Sequence, residues 1–161
     1  WRGDVPNCNL GFALDVGDVN VDGYADVIMG TPYREQNNGG AFIVFGPADQ
    51  GASVADADIQ FFPEQEHSLF GSVVQALDVD SDGVLDLMVS APEDSTEHSH
   101  QGALFTAYGP LTGQTTFDFV AYGSSSDVYL ATSFAKGPNS IFLGVGAANQ
   151  DTGALIELFQ Q

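Results

Sequence analysis

Short apolar runs recur along the chain, each four to seven residues long, with Gly, Pro, Asn and Asp frequent in the stretches between them. They include Ala25–Met29, Gly40–Phe45, Ile59–Phe62, Leu85–Val89, Gly102–Tyr108 and Phe117–Val120. Runs of this length, rich in β-branched and aromatic residues, predict strands, and no stretch has the period of an amphipathic helix. Self-comparison gives a spacing of 60 residues: Gly11 matches Gly71, Asp18 matches Asp78, and Gly30-Thr31-Pro32 matches Ser90-Ala91-Pro92. A Gly-Ala step then opens a third strand, which ends at Gly46-Pro47 and again at Gly109-Pro110. Four short strands per unit predict an antiparallel blade that must stack on neighbours to bury its faces.

A third, worn copy follows. Val128–Phe134 and Ser140–Val145 are its first two strands, Gly146-Ala147-Ala148 stands where Gly-Thr-Pro stood, and Gly153–Phe159 repeats the Gly-Ala opening. The repeats span 10–62, 70–121 and 128–161, with no domain boundary between them. The chain is expected to be all-β: about three antiparallel β-propeller blades, a partial propeller forming one segment over 1–161. Asp49–Asp58 and Glu93–Gln101 read as exposed loops, and Gly123–Asp127 as a turn between blades.

Between the first two strands of repeats one and two lies the same acidic stretch. Asp18-Val-Asn20-Val-Asp22-Gly23-Tyr24-Ala-Asp26 recurs as Asp78-Val-Asp80-Ser-Asp82-Gly83-Val84-Leu-Asp86. Side-chain oxygens occupy positions one, three, five and nine, and the backbone carbonyls of Tyr24 and Val84 are available at position seven. Gly at position six permits the sharp turn. Hard oxygen donors at this density favour Ca²⁺, so two Ca²⁺ sites are expected. These are not EF-hands: position twelve is Met29 or Val89 rather than Glu, and strands rather than helices follow. In repeat three the corresponding Ala135–Asn139 stretch has no carboxylate, so the ion is expected to be lost there.

Composition narrows the function. The 161 residues carry 22 acidic against 3 basic side chains, a net charge of −19. Phosphate backbones would be repelled, so nucleic-acid binding is not expected. No apolar run reaches the roughly 18 residues of a membrane span. The chain does not begin with Met, which suggests processing or a fragment. Cys8 is the single cysteine and reads as a small buried residue, a bridge to another chain being the alternative. Catalysis finds no nucleophile elbow, no phosphate loop and no His near Ser124–Ser126.

Three smaller features have bland readings. Glu93–His100, with His98 and His100, reads as a solvated loop, with a transition-metal site as the alternative. His67 beside Glu64 and Glu66 reads as a loop residue. Arg2-Gly3-Asp4 spells an integrin-ligand tripeptide, which matters only if it is exposed and mobile.

The order Leu10-Gly11 or Phe70-Gly71, acidic loop, then Gly30-Thr-Pro32 or Ser90-Ala-Pro92 resembles the FG-GAP repeat family, found in integrin α-chain propellers. Similar repeats accompany a secreted phospholipase D that cleaves glycosylphosphatidylinositol anchors. The resemblance covers repeats one and two nearly fully and repeat three in outline. It implies a non-catalytic, extracellular or cell-surface, Ca²⁺-binding module for adhesion or assembly, the alternatives being an accessory propeller of a secreted hydrolase or a receptor-like, protein-binding propeller. Family propellers usually have seven blades, so the remaining blades are expected from a longer chain or from copies of this one, closing a ring or extending a fibre. A neighbour's Trp1–Asn9 is one candidate to donate the strand that repeat three lacks.

Overall fold

A computed structural model describes residues 1–48, 53–136, 140–145 and 154–159. Three antiparallel sheets follow one another along the chain. Blade one is β1 (Ala13–Gly17), β2 (Asp26–Gly30), β3 (Ala41–Val44) and β4 (Ile59–Phe61), paired in sequence order. Blade two repeats it with β5 (Val74–Leu77), β6 (Asp86–Ala91), β7 (Ala103–Ala107) and β8 (Phe119–Tyr122). The third sheet has β9 (Leu130–Lys136), β10 (Ser140–Val145) and β11 (Ala154–Phe159). This is the architecture of a partial β-propeller. Among the described residues the helical segments are two short turns, Arg34–Asn37 and Val54–Asp56.

The strands form because their apolar side chains are divided between two neighbours. Blade one turns Ile28, Ala41, Ile43, Ile59 and Phe61 toward blade two, which answers with Val74, Leu87, Val89, Ala91 and Ala103. Blade two's opposite face, Leu77, Met88 and Leu104, meets Leu130 and Ala131 of the third sheet. Each core is therefore an interface between blades, so the stability of one blade is bound to its neighbour's.

The signature residues make this stacking possible. The Gly11 amide donates to the Gly30 carbonyl at 3.1 Å and the Gly71 amide to the Ser90 carbonyl at 2.8 Å, tying each Leu/Phe-Gly to its Gly-Ala-Pro-like step. Gly71 has φ +88°, and a Cβ there would run into the Gly40 carbonyl of blade one. The backbone entering each blade repeats as well: φ is 52° at Asn9, 54° at Leu69 and 51° at Tyr129. Such left-handed residues are uncommon outside Gly, and the neighbouring blade holds two of these three. Leu69 and Phe70 donate to Asn37 and Asn38 at 2.9 and 3.2 Å, and Tyr129 and Leu130 donate to His100 and Gln101 at 3.0 and 2.9 Å.

Several expectations are corrected. The fourth strand of blade two is Phe119–Tyr122, later than Phe117–Val120, because the Phe117 ring is drawn into the core against Phe61 at 4.5 Å. The first strand of repeat three is Leu130–Lys136, not Val128–Phe134, because Asp127–Leu130 serve as the docking segment. The loop at 49–58 is not wholly exposed, since Val54 is buried under blade one. Nor is Glu93–Gln101: Asp94 and Gln101 are buried, and their bonds to Thr96, His98 and Gly102 fold the loop onto itself. Cys8 is buried, as its reading as a small core residue has it. The Gly146–Ala148 step and most of the third repeat's turn, residues 137–139, lie outside the described residues.

The N-terminal stretch expected as a strand for donation instead lies on its own blade. Trp1 and Leu10 pack on Met29, Phe42 and Val44, and Arg2 bridges to Ser53. Asp4 receives three hydrogen-bond contacts of 2.7–3.1 Å from Arg34. The Arg2-Gly3-Asp4 tripeptide is thereby built into the blade, with its carboxylate committed to Arg34.

Candidate metal centre

The two acidic loops connect β1 to β2 and β5 to β6, and they fold alike. The Asp18 carboxylate accepts the amides of Asp22 and Gly23 at 3.1 and 3.0 Å; Asp78 accepts those of Asp82 and Gly83 at 3.1 and 3.1 Å. Position three accepts the position-five amide, Asn20 from Asp22 at 3.0 Å and Asp80 from Asp82 at 3.2 Å. Position five accepts the position-seven amide, Asp22 from Tyr24 and Asp82 from Val84, both at 2.8 Å. Gly23 and Gly83 have φ +89° and +90°, the turn that position six demands. Short acids bonding their own backbone are a common way to close a tight loop.

Position nine does more than its spacing suggests. Asp26 and Asp86 are buried, at 0% and 1% exposure. Asp26 accepts the amides of Val19 at 2.9 Å and Gly46 at 2.8 Å; Asp86 accepts those of Val79 at 2.7 Å and Gly109 at 2.9 Å. Each carboxylate thus braces its loop against the end of the third strand. A Cβ on Gly46 or Gly109 would strike the carbonyl of Ala25 or Leu85, so only Gly brings its amide this close. Sequence reasoning noted both Gly-Pro steps without this role. The signal available was their fixed order after the acidic loop.

The second loop gathers the ligands. Asp78, Asp80 and Asp86 each turn a carboxylate oxygen inward, and these atoms lie within 4.8 Å of one another. Among the described residues this is the one group of at least three His, Cys or acidic side chains so disposed. Asp82 stands outside it, holding the Val84 amide. Burial pushes the Asp86 carboxyl above the usual range, the amide bonds from Gly109 and Val79 oppose this, and Asp80 and Asp82 add repulsion. A cation would relieve that repulsion. In the first loop Asn20 replaces one carboxylate, and its amide nitrogen donates to Asp22 at 3.0 Å. Asp18, Asn20, Asp22 and Asp26 carry oxygen donors there, but the carboxylates of Asp18, Asp22 and Asp26 are not gathered as those of the second loop are. The gathered carboxylates of the second loop fit a hard divalent cation.

The loops also reach the blade interfaces. Val19, at position two, is fully buried in the core between blades one and two, and its carbonyl accepts the Leu111 amide of blade two at 2.7 Å. Val79, its counterpart, packs with Leu130, Ala131 and Phe134 of the third sheet.

The histidines are placed differently from a metal site. His98 is exposed. His100 stacks on Tyr129 with rings 5.5 Å apart, and its Nδ1 is 3.3 Å from Asp127, so it joins blade two to the third sheet. His67 meets the Gln36 carbonyl at 2.7 Å.

Comparison with known proteins agrees with this architecture. The FG-GAP repeat model matches residues 10–45 and 70–105. Phosphatidylinositol-glycan-specific phospholipase D of Bos taurus is 31% identical over 138 residues, 77% of this chain and 16% of that protein. Its Homo sapiens counterpart is 29% identical over 138 residues, with the same coverage. Integrin alpha-7 of Rattus norvegicus is 35% identical over 111 residues, 66% of this chain and 9% of that protein. The chain spans less than a fifth of the length of these relatives. Residues 10–45 and 70–105 are FG-GAP repeats, and through them the chain belongs to the FG-GAP repeat family.

Proposed function

We propose that the chain is a non-catalytic, extracellular calcium-binding module in which two Ca²⁺ ions hold propeller blades together for adhesion or assembly. Asp18, Asn20, Asp22 and Asp26 would hold one ion, Asp78, Asp80, Asp82 and Asp86 the other, with the carbonyls of Tyr24 and Val84 completing the shells. The ion supplies positive charge that cancels carboxylate repulsion and fixes the loop. The observation that carries this reading is the pairing of each loop with a blade interface. Val19 and Val79 belong to a loop and to an inter-blade core at once. Ordering the loop therefore orders the stack.

The partners proposed are further blades, from a longer chain or from copies of this one. Leu14 and Val16 on β1 are 61% and 60% exposed, and Phe12 precedes them in the open. The matching positions in blade two, Val74 and Ala76, are covered by blade one. A sheet face this apolar calls for a neighbour. The similarity to phospholipase D favours a second reading, an accessory propeller of a secreted hydrolase whose chemistry lies in other residues.

Thermal melting and sedimentation of the chain, each with Ca²⁺ and with EDTA, test the proposal. Lower stability and looser assembly in EDTA are expected. Identical melting and mass in both would refute the calcium reading.

A further inference from the structure

Asn38-Gly39 is the single Asn-Gly pair in the sequence, and it lies in the loop after β2 that receives blade two. Such a pair is reactive, because the unhindered Gly nitrogen can attack the Asn side-chain carbonyl carbon. The attack forms a C–N bond and closes a succinimide ring. The side-chain nitrogen leaves as ammonia, taking the Gly amide proton. Water then opens the ring at either carbonyl, leaving Asp or isoaspartate. Water is the only co-reactant, and nothing is oxidised or reduced.

The folded chain withholds what the attack needs. The Gly39 amide donates to the Arg34 carbonyl at 3.0 Å. Asn38 Oδ1 accepts the His67 amide at 2.9 Å, which fixes the side chain. Asn38 has φ −65° and ψ −48°, a helical backbone that holds the Gly39 nitrogen out of the plane in which the ring would close. Blade two keeps the pair in this state. The Asn38 carbonyl accepts the Phe70 amide at 3.2 Å and the Ser68 hydroxyl at 3.1 Å. Gly39, at φ +97°, bridges to Phe70 so closely that a Cβ would strike the Phe70 backbone.

The turn before the pair is strained. Glu35, Gln36 and Asn37 have φ of 48°, 63° and 72°, three consecutive left-handed residues of which none is Gly. Such a run is costly and persists only where neighbours impose it. Here the neighbour is blade two: Leu69 donates to the Asn37 carbonyl at 2.9 Å, and His67 Nδ1 lies 2.7 Å from the Gln36 carbonyl. Opening this joint releases the turn and frees Asn38 to cyclise. The joint to the third sheet has His100-Gln101-Gly102 in this place, with no Asn.

We propose that Asn38-Gly39 is a spontaneous deamidation site gated by the joint between blades one and two, and that isoaspartate there keeps the joint open. Asp at position 38 retains a side-chain acceptor for the His67 amide. Isoaspartate instead adds a methylene to the main chain and carries Gly39 out of register with Phe70. The pair thus records, irreversibly, that the blades have parted.

The test incubates the whole chain, its Ser68→Ala variant and a free peptide covering 34–43 at one mildly alkaline pH. Peptide-resolved mass spectrometry follows Asn38, with fragmentation that separates Asp from isoaspartate and keeps the Asp-Gly pairs of the acidic loops apart. Only the opened fraction of the folded chain reacts, so it should deamidate roughly tenfold or more slowly than the peptide. Ser68→Ala should react severalfold faster than the parent. In the purified isoaspartyl chain the Leu69 and Phe70 amides should lose hydrogen-exchange protection, whereas Asn38→Asp should keep it. Should Ser68→Ala lose its fold, the peptide comparison and the isoaspartyl chain decide. A parent as fast as the peptide, a folded Ser68→Ala as slow as the parent, or an isoaspartyl chain with full protection at Phe70 would overturn the proposal.

Discussion

Asp86 accepts the main-chain amide of Gly109 at 2.9 Å, so the last acid of the loop is also the bolt of the third strand. Asp80, in the same carboxylate group, lacks that second duty and is exposed. The two acids should therefore fail differently. Asp86→Ala leaves the amides of Val79 and Gly109 without their acceptor and should cost about 2–4 kcal/mol even in EDTA. Asp80→Ala should leave stability in EDTA nearly unchanged and abolish the response to Ca²⁺. Urea unfolding of both variants, with and without chelator, separates brace from ligand. Equal losses in EDTA would contradict the division of roles.

At the four side-chain donor positions, loop one differs from loop two only by Asn20 in place of Asp80. Ligand charge tunes Ca²⁺ affinity. Asn20→Asp should tighten the first site by roughly tenfold and leave the second alone. Titration calorimetry on the variant reads both sites. An unchanged first affinity would mean that position three is not a ligand.

Val19 carries the loop into the interface between blades one and two. Val19→Ala should cost about 2 kcal/mol through the cavity left in a fully buried core. It should also shrink the Ca²⁺-dependent gain in melting temperature, because the ordered loop then grips less. Loss of stability with an undiminished Ca²⁺ response would uncouple the loop from the stack.

Arg34 holds the Asp4 carboxyl below its usual value of 3.8. A carboxylate depressed in the folded state binds its proton later than in the unfolded chain. Its contribution is complete above pH 3.8 and is lost as pH falls through the lower folded value. Asp4→Asn should therefore be less stable than the parent at pH 6, with a difference that shrinks as pH drops below 3.8. Urea midpoints across that range check it. A constant difference would show that the pair acts through packing alone.

Much of this was legible in the residues. The strands, the period and both acidic loops follow from local chemistry: apolar runs of strand length, Gly at a left-handed position, acids at alternate positions. What escaped lies in contacts distant in sequence. Nothing local announces that Phe117 would leave its strand for a stack on Phe61, or that Asp26 and Asp86 would reach Gly46 and Gly109. The same holds for Asp4 meeting Arg34 and for Asp94 going under a loop that reads as solvated. The left-handed Leu69 and Tyr129 were invisible because neighbouring blades, not their own side chains, hold those conformations.

The proposal that Ca²⁺ holds the blades together is tested most directly by calorimetric titration of Ca²⁺ into the chelator-stripped chain, with melting followed at each ratio. Two bound ions per chain are predicted. Each should add about 2.7 kcal/mol when free Ca²⁺ is 100 times its Kd, raising Tm by about 2–4 °C per kcal/mol. Heat of binding without a rise in Tm, or no binding at millimolar Ca²⁺, would contradict it.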